Sequence, residues 1–295
     1  MGSNLTVRGP LDDVVAVEVR ALAAAAAHAD GVPPISEQPL LNLTADRHDV
    51  VHVLRRDGAG TLLAYAQLDL GGSPPTAEMV VSPGARRRGL GTSLLEGLRA
   101  LAPDGFGLWA YGHGTGAQAF AEHHRLETVR ELFVMERPLA GTAARPTPPD
   151  GYTLRTFTPD DADAWLALNA RAFAHHPEQG RLTRADLDAR RAEPWFRADD
   201  LLLVDGPDGL AAFVWTKVVG TDGELYVVAV DPDHQGRGLG HLLTEVALAH
   251  LAERGCTRAL LYVDGDNLRA VNVYRRAGFD LADRHVLVRG TSATS

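Results

Sequence analysis

The sequence predicts an α/β protein, in detail an α+β arrangement of two tandem domains, each a mixed β-sheet with helices on both faces. Three observations carry this. The chain has 295 residues, enough for about two domains. It repeats itself: "SPGARRRGLG" at 82–91 and "DPDHQGRGLG" at 231–240 each follow a Val-rich run and precede a Leu-rich one. The second half alternates strand-like and helix-like segments in the order β-α-α-β-β-β-α-β-α-β.

The repeat sets the domain plan. Aligning Gly89 with Gly238 brings Val81-Ser82-Pro83 onto Val230-Asp231-Pro232, and "GTSLLEGLRALA" onto "GHLLTEVALAHLA". Between the halves, "PLAGTAARPTPPDG" at 138–151 has the composition of a linker. The plan is therefore an N-terminal domain at 1–140, a linker at 141–151 and a C-terminal domain at 152–295.

The elements follow in order. In the first half, the alanine run at 21–27 lies between Arg20 and His28 and reads as helix rather than as a signal peptide. In the second half, 152–157 is a strand. Thr158-Pro159-Asp160-Asp161 starts a helix, with Thr158 as N-cap and Pro159 at the first helical position, running to about 173. A second helix covers 183–191. Strands at 201–205 and 210–217 form a hairpin around Gly206-Pro207-Asp208-Gly209. A strand at 223–230 leads into the Gly-rich turn, and the helix after it runs over 238–254 until Gly255 ends it. A strand at 258–263, a helix at 268–277 and a strand at 283–289 close the chain.

Composition excludes several function classes. The net charge is -9 and the pI about 5.7. No basic stripe with interleaved aromatics is present, so nucleic acid is not expected as a partner. No run of about 18 apolar residues is available to span a bilayer. Cys256 is the only cysteine, so no intrachain disulfide forms and a reducing, cytoplasmic setting is expected. Cys256 itself is expected to be buried and inert. The His123-His124 and His175-His176 pairs lack a further ligand at helical spacing, and Asp264-x-Asp266-Asn267 has Leu268 and Arg269 where a calcium loop needs an oxygen ligand and a glycine. No metal is expected.

A strand that turns directly into a helix aims the unpaired amides of the helix N-terminus at one point. Glycines at 236, 238 and 240 let a ligand approach the backbone, and Arg237 adds charge. In physical terms this is a pyrophosphate site. It is not a P-loop, which needs Gly-Lys-Ser/Thr. It does not match the dinucleotide fingerprint either, which needs a glycine where His241 stands. A purely structural turn remains the alternative at this level.

The pattern Gln235-x-x-Gly238-x-Gly240, followed by "DNLRAVNVYRRAGF" at 266–279, resembles the GCN5-related N-acetyltransferase (GNAT) family. The resemblance covers about 152–290. It implies a sheet splayed at its fourth strand with acetyl-CoA in the splay. Val228, Ala229 and Val230 would pair with the amide-bearing pantetheine arm as if it were a strand. Gln235, Gly236, Arg237, Gly238, Leu239, Gly240 and His241 would take the pyrophosphate. Asn267, Leu268, Arg269, Ala270, Val271 and Asn272 would flank the arm and thioester.

Acetyl transfer to an amine needs a base to remove a proton from the ammonium and an acid to protonate the leaving thiolate. Glu224, on the strand feeding the loop, is the candidate base, and Tyr274 fits the family's general acid. The first half lacks both: the alignment puts Pro75 opposite Glu224 and Ala121 opposite Tyr274, with Arg125-Leu126 in place of Gly278-Phe279. Glu78 aligns with Val227, which argues against a substitute base. Met79, Val80, Val81, Arg87, Arg88, Gly89, Leu90, Gly91 and Thr92 nonetheless keep the cofactor pattern. The first half is expected to bind acetyl-CoA, giving one per domain, without transferring acetyl groups.

The tandem layout, with "ADGVPPISEQPL", "RAFAHHPEQGRLT", "FVWTKV" and "LLYVDGDNLRAVNVYRRAGF", is similar to one branch of the family. Those enzymes acetylate the cysteinyl amine of the small molecule cysteinyl-glucosaminyl-inositol. This likeness implies that Glu37, Glu178, Lys217, Glu224 and Tyr262 contact the acceptor. Carboxylates suit a cationic amine and sugar hydroxyls, while Lys217 and Tyr262 can donate to sugar oxygens. A monomer is expected. Two other readings stay open: an acetyltransferase for another small amine or a protein N-terminus, and a non-catalytic acetyl-CoA-binding module.

Overall fold

The computed structural model describes residues 4–112, 114–141, 144–174 and 179–290. The chain folds as two compact units: residues 1–131 with 284–295, and residues 132–283.

The first unit begins with β1 (Asn4–Arg8), α1 (Asp13–Asp30) and a short α2 (Glu37–Leu41). It continues with β2 (Val50–Arg56), β3 (Leu62–Asp69), β4 (Thr76–Val81), α3 (Leu90–Leu101), β5 (Gly107–Ala110) and α4 (Thr115–His123). Asp12 caps α1 by accepting from the Val15 amide at 2.9 Å, and Gly31 ends it at φ 74°. Strands β1 to β4 form an antiparallel meander, and β5 joins β4 in parallel. Leu94, Leu95 and Leu98 of α3 cover one face. Val19 and Ala26 of α1 pack with Tyr65 and Val80 on the other.

β6 (Leu126–Pro138) leads into the second unit, with β7 (Thr153–Thr156), α5 (Ala162–Ala172), α6 (Arg184–Arg191), β8 (Leu201–Gly206) and β9 (Gly209–Val219). β10 (Asp222–Val230), α7 (Leu239–Glu253), β11 (Arg258–Asp264), α8 (Leu268–Arg276) and β12 (Asp280–Gly290) complete the chain. Thr158 and Asp161 form a reciprocal capping box ahead of α5. α7 is apolar nearly all round. Leu243, Val246 and Ala247 bury one of its faces against Leu202, Val214 and Leu261. α5 and α6 cover the opposite face, where Trp165 and Leu187 meet Phe213 and Trp215. Burying these side chains, at about 1.5–3 kcal/mol each, is what holds β10 in place.

The compact units do not coincide with the sequence halves. The first unit's sheet runs β1-β2-β3-β4-β5-β12, so the last strand of the chain completes it: Val286 to Arg289 pair with Ala110 to Gly107. The second unit's sheet runs β6-β11-β10-β9-β8-β7, with Leu132 to Pro138 of the first half paired to β11. Each half thus gives its final strand to the other unit. Backbone amides need a ladder partner, but no side-chain pattern says which of two equivalent edges supplies it. The Pro/Thr-rich segment between the halves is also anchored. Arg145 reaches the Glu253 carboxylate at 2.7 Å and His250 at 3.0 Å on α7.

Candidate active site

The site of the second unit is built on a parting of two strands. β10 and β11 pair in parallel from Asp222↔Arg258 to Leu225↔Leu261 and no further. Beyond that rung, β10 stays bonded to β9 through Val227, Val228, Ala229 and Val230. A bulge between Leu225 and Val227 turns the strand at the parting. Val228, Ala229 and Val230 therefore present a backbone edge facing away from β9, the feature an extended amide chain needs in order to pair. The side chain of Ala229 is core, so its contribution is through the backbone.

β10 ends in a turn that leaves backbone amides open. Gly236 (φ 79°) and Gly238 (φ 81°) take left-handed conformations that disfavour any side chain, and Gly238 is the N-cap of α7. No side chain caps this helix, so its first amides point outward with the positive end of the helix dipole. A Cβ on Gly240 would meet nothing within 4 Å, so packing within the protein does not require that glycine. The turn is braced on three sides. Arg171 pairs with Asp231 at 2.6 Å. Burial alone would raise the Asp231 carboxyl, but Arg171 and the Asp233 amide hold it below its ordinary value. Tyr152 Oη meets both His234 Nδ1 and the Arg237 guanidinium at 3.0 Å. Arg269 donates to Gln235 Oε1 at 3.1 Å, tying the turn to α8.

The residues expected around the thioester fall into two groups. Asn267 uses its side-chain oxygen to cap α8, accepting from the Ala270 amide at 3.1 Å. Val271 is buried beneath α8, whereas Leu268, Arg269 and Asn272 are exposed. His241 is exposed in the first turn of α7, and Leu239 is core.

Glu224 stands on the last turn of ladder before the parting, directly opposite Lys217 of β9. Its neighbour Leu225 packs toward α7, so Glu224 faces the side of α5 and α6. Lys217 Nζ lies over the Trp195 ring at 4.5 Å and the Tyr226 ring at 5.2 Å. Arg190 Nε donates to Tyr226 Oη at 2.7 Å. Tyr262 lies two residues beyond Leu260, the β11 partner of Glu224, and is 45% exposed. Partial burial and the charges of Glu224 and Asp283 push its phenol up to about 12. Lys217, Glu224 and Tyr262, expected as acceptor ligands, thus come from three adjacent strands. Sequence reading missed Trp195, Tyr226 and Arg190. The signal was the bulge, which puts Tyr226 beside Glu224, and it is not visible in one dimension.

Tyr274 packs against the α7-side core with its ring 5.9 Å from Phe279. Burial pushes its phenol up to about 12, so it is a proton donor throughout the neutral range. Cys256 is 7% exposed and its thiol is pushed up by burial.

The first unit repeats the parting. β4 and β5 pair only at Thr76↔Gly107 and Ala77↔Leu108. A cavity of about 960 Å³ opens beyond, lined by Met79 to Val81, Trp109, Tyr111, Thr92 and α4. Gly89 caps α3 at φ 79° without a side-chain cap, as Gly238 does for α7. Arg87 holds φ 61°, where the second unit has Gly236. The register also corrects the alignment. β4 lacks the bulge of β10, so Thr76, not Pro75, occupies the ladder position of Glu224. Glu78 takes the position of Val227. Its carboxylate accepts from the Ser36 amide and hydroxyl and from Tyr111. Glu37 lies in the first turn of α2 in this unit. Glu178 lies outside the described residues.

This combination, a mixed sheet parted at its fourth strand with an uncapped helix N-terminus at the mouth, is that of an acetyl-CoA-dependent N-acetyltransferase. The model of the acetyltransferase (GNAT) family matches residues 20–125 and 162–279, and the chain belongs to that family. Curated relatives named mycothiol acetyltransferase include those of Kineococcus radiotolerans (48% identity, 93% of this chain and 92% of that one) and Cellulomonas flavigena (46%, 94% and 86%). That of Streptomyces coelicolor is 44% identical over 92% of this chain and 90% of its own. Among solved structures, a tandem GNAT protein from the clavulanic acid biosynthesis pathway shares the fold with a TM-score of 0.72. It is 21% identical, and 98% of each chain is covered. A GCN5-related N-acetyltransferase from Sphaerobacter thermophilus gives 0.68 at 24% identity, over 97% and 95%.

Proposed function

We propose that this chain moves the acetyl group of acetyl-CoA to the cysteinyl amine of cysteinyl-glucosaminyl-inositol, giving mycothiol. The carrying observation is the placement of Glu224, Lys217 and Tyr262 on one sheet face at the rung where β10 and β11 part. The family relatives, named for mycothiol, support the choice of acceptor.

Acetyl-CoA supplies an activated thioester. The open edge of β10 and the amides of the 235–241 turn hold it. Glu224 Oε takes a proton from the acceptor ammonium, directly or through water. Tyr274 Oη gives one to the departing thiolate. Glu178, Lys217 and Tyr262 bind the acceptor's polar groups. The first unit holds a second acetyl-CoA in its cavity and does not transfer its acetyl group, because Thr76 and Ala121 replace base and acid. The protein works in the cytoplasm as a monomer.

The test is product formation by mass spectrometry with purified protein, acetyl-CoA and cysteinyl-glucosaminyl-inositol. An N-acetylated product supports the reading. Acetyl-CoA binding with no product removes the acceptor assignment and points to another amine or to a binding module.

A further inference from the structure

A long side chain on a surface turn loses conformational freedom when it is held in one place, so a held arginine has identifiable partners. Arg237 is exposed and is held at two points. Its guanidinium donates to Tyr152 Oη at 3.0 Å and to the Asp233 carbonyl at 3.3 Å. The Tyr152 hydroxyl also meets His234 Nδ1 at 3.0 Å, and the two rings meet edge to face with centroids 5.8 Å apart. A phenol hydroxyl can accept from a guanidinium while donating to an imidazole nitrogen.

The surroundings are shaped for this contact. His234 is buried. Gly206, at the end of β8, leaves room for it: a Cβ there would come within 3.0 Å of the Tyr152 ring and 3.2 Å of the His234 ring. Tyr152 is delivered by a tight turn of its own, in which its amide donates to the Pro149 carbonyl at 3.1 Å and Gly151 takes φ 82°. The backbone path of the Gly-rich turn does not by itself call for these groups. In the first unit Ala85 stands where His234 does, yet Ser82 and Asp231 hold φ -48° and -52°, and Gly89 and Gly238 hold 79° and 81°. There the turn is fastened by Arg86, to Asp30 at 2.6 Å and 2.7 Å and to the Val81 carbonyl at 3.3 Å. Each unit thus ties its turn through an arginine to a support outside the turn.

We propose that Tyr152 is a positioning residue for acetyl-CoA binding: seated against His234, it holds Arg237 so that the 235–241 turn keeps its amides in one arrangement for the pyrophosphate. This rests on the acetyl-CoA role given to that turn above. Tyr152 touches no part of acetyl-CoA in this scheme, so it governs cofactor affinity and neither acceptor binding nor the transfer step.

The experiment pairs calorimetric titration with coenzyme A and steady-state kinetics with acetyl-CoA and cysteinyl-glucosaminyl-inositol. The full chain is compared with Tyr152→Phe, Arg237→Ala and the double variant. Tyr152→Phe keeps the ring and removes only the hydroxyl, and the net worth of a typical hydrogen bond corresponds to roughly fivefold in affinity. One coenzyme A binding event should weaken roughly fivefold and the acetyl-CoA KM rise by the same factor, with kcat and the acceptor KM changed less than about twofold. The double variant is no worse than Arg237→Ala, because Tyr152 acts through Arg237. Gly206→Ala, which crowds the Tyr152 ring, weakens the same event. If Tyr152→Phe folds poorly, the exposed Arg237→Ala carries the same readout. Unchanged coenzyme A affinity in Tyr152→Phe, multiplying effects in the double variant, or a fall in kcat without a rise in the acetyl-CoA KM overturns the proposal. Wild-type protein that binds no coenzyme A overturns both the proposal and the reading it rests on. Binding without turnover removes only the acceptor assignment, and the calorimetric comparison then decides.

Discussion

The turns at 82–89 and 231–238 are two versions of one backbone path. Both follow a strand freed from its parallel neighbour, and both end in a left-handed glycine that starts an uncapped helix. They differ in the side chains. The second places Gly236 at a left-handed position and braces itself with Tyr152, Arg171 and Arg269. The first puts Arg87 in that conformation at φ 61°, and ties Arg86 to Asp30 at 2.6 Å and 2.7 Å. A left-handed arginine costs about 1–2 kcal/mol, so Arg87 acts against local stability. In the proposed function the shared path serves a shared ligand: the first turn adds cationic side chains to holding it, and the second unit adds Glu224 and Tyr274 as base and acid.

The largest effect separates the units by chemistry. Glu224→Gln should lower kcat by about 10²–10⁴-fold with acetyl-CoA still bound. Substantial residual turnover would show that the first unit transfers acetyl groups too. Tyr274→Phe should lower kcat by about 10²-fold. Because burial raises the Tyr274 phenol to about 12, the acid form persists and activity should not fall between pH 8 and pH 10 on its account. A kcat profile falling with a midpoint near 10 in wild type, and not in the variant, would contradict a buried donor.

Arg87→Gly sharpens the comparison from the other side. It removes the left-handed strain, so the ligand-free chain should gain about 1 kcal/mol in urea unfolding. In a calorimetric titration with coenzyme A, one of two binding events should weaken about tenfold. A stability gain without weakened binding would mean that the arginine does not face the ligand.

The smallest effect compares the entry to α1 with the entry to α5. Asp12 accepts only the Val15 amide among its described bonds, whereas Asp161 accepts from Thr158 and pairs with Arg155 at 2.8 Å. Asp161→Ala should cost about 2 kcal/mol and Asp12→Ala about 1 kcal/mol by urea unfolding. The Arg155 guanidinium, with the Thr158 bonds, outweighs burial and lowers the Asp161 carboxyl to about 2. Its stabilisation is therefore complete above the ordinary value near 4 and lost as pH falls from there toward 2. The wild-type minus Asp161→Ala difference should shrink over that window.

Much of this was legible in one dimension because its causes are local. Thr158 and Pro159 start a helix where their own backbone preferences require it, and Gly255 ends one. The strands at Gly209–Val219 and Asp222–Val230 follow from side-chain patterning, within one or two residues of the sequence expectation. Glu224 was expected as base from its place on the strand feeding the turn, and Tyr274 as acid from the resemblance to the family. Trp195, Tyr226 and Arg190 were not, since Trp195 and Tyr226 meet Lys217, and Arg190 meets Tyr226, only in the folded chain.

The repeat, the glycine turn in each half and the absence of a glutamate and a tyrosine in the first half opposite Glu224 and Tyr274 are properties of the linear chain. Glycine, proline and capping residues act through the backbone within a few positions of themselves. Three features required the folded chain: the exchange of β6 and β12, the one-residue shift that puts Thr76 opposite Glu224, and the grip of Glu78 on Ser36. Each joins residues distant in sequence. Hydrogen-bond partners of that kind are chosen by which edges and side chains the packed core brings together.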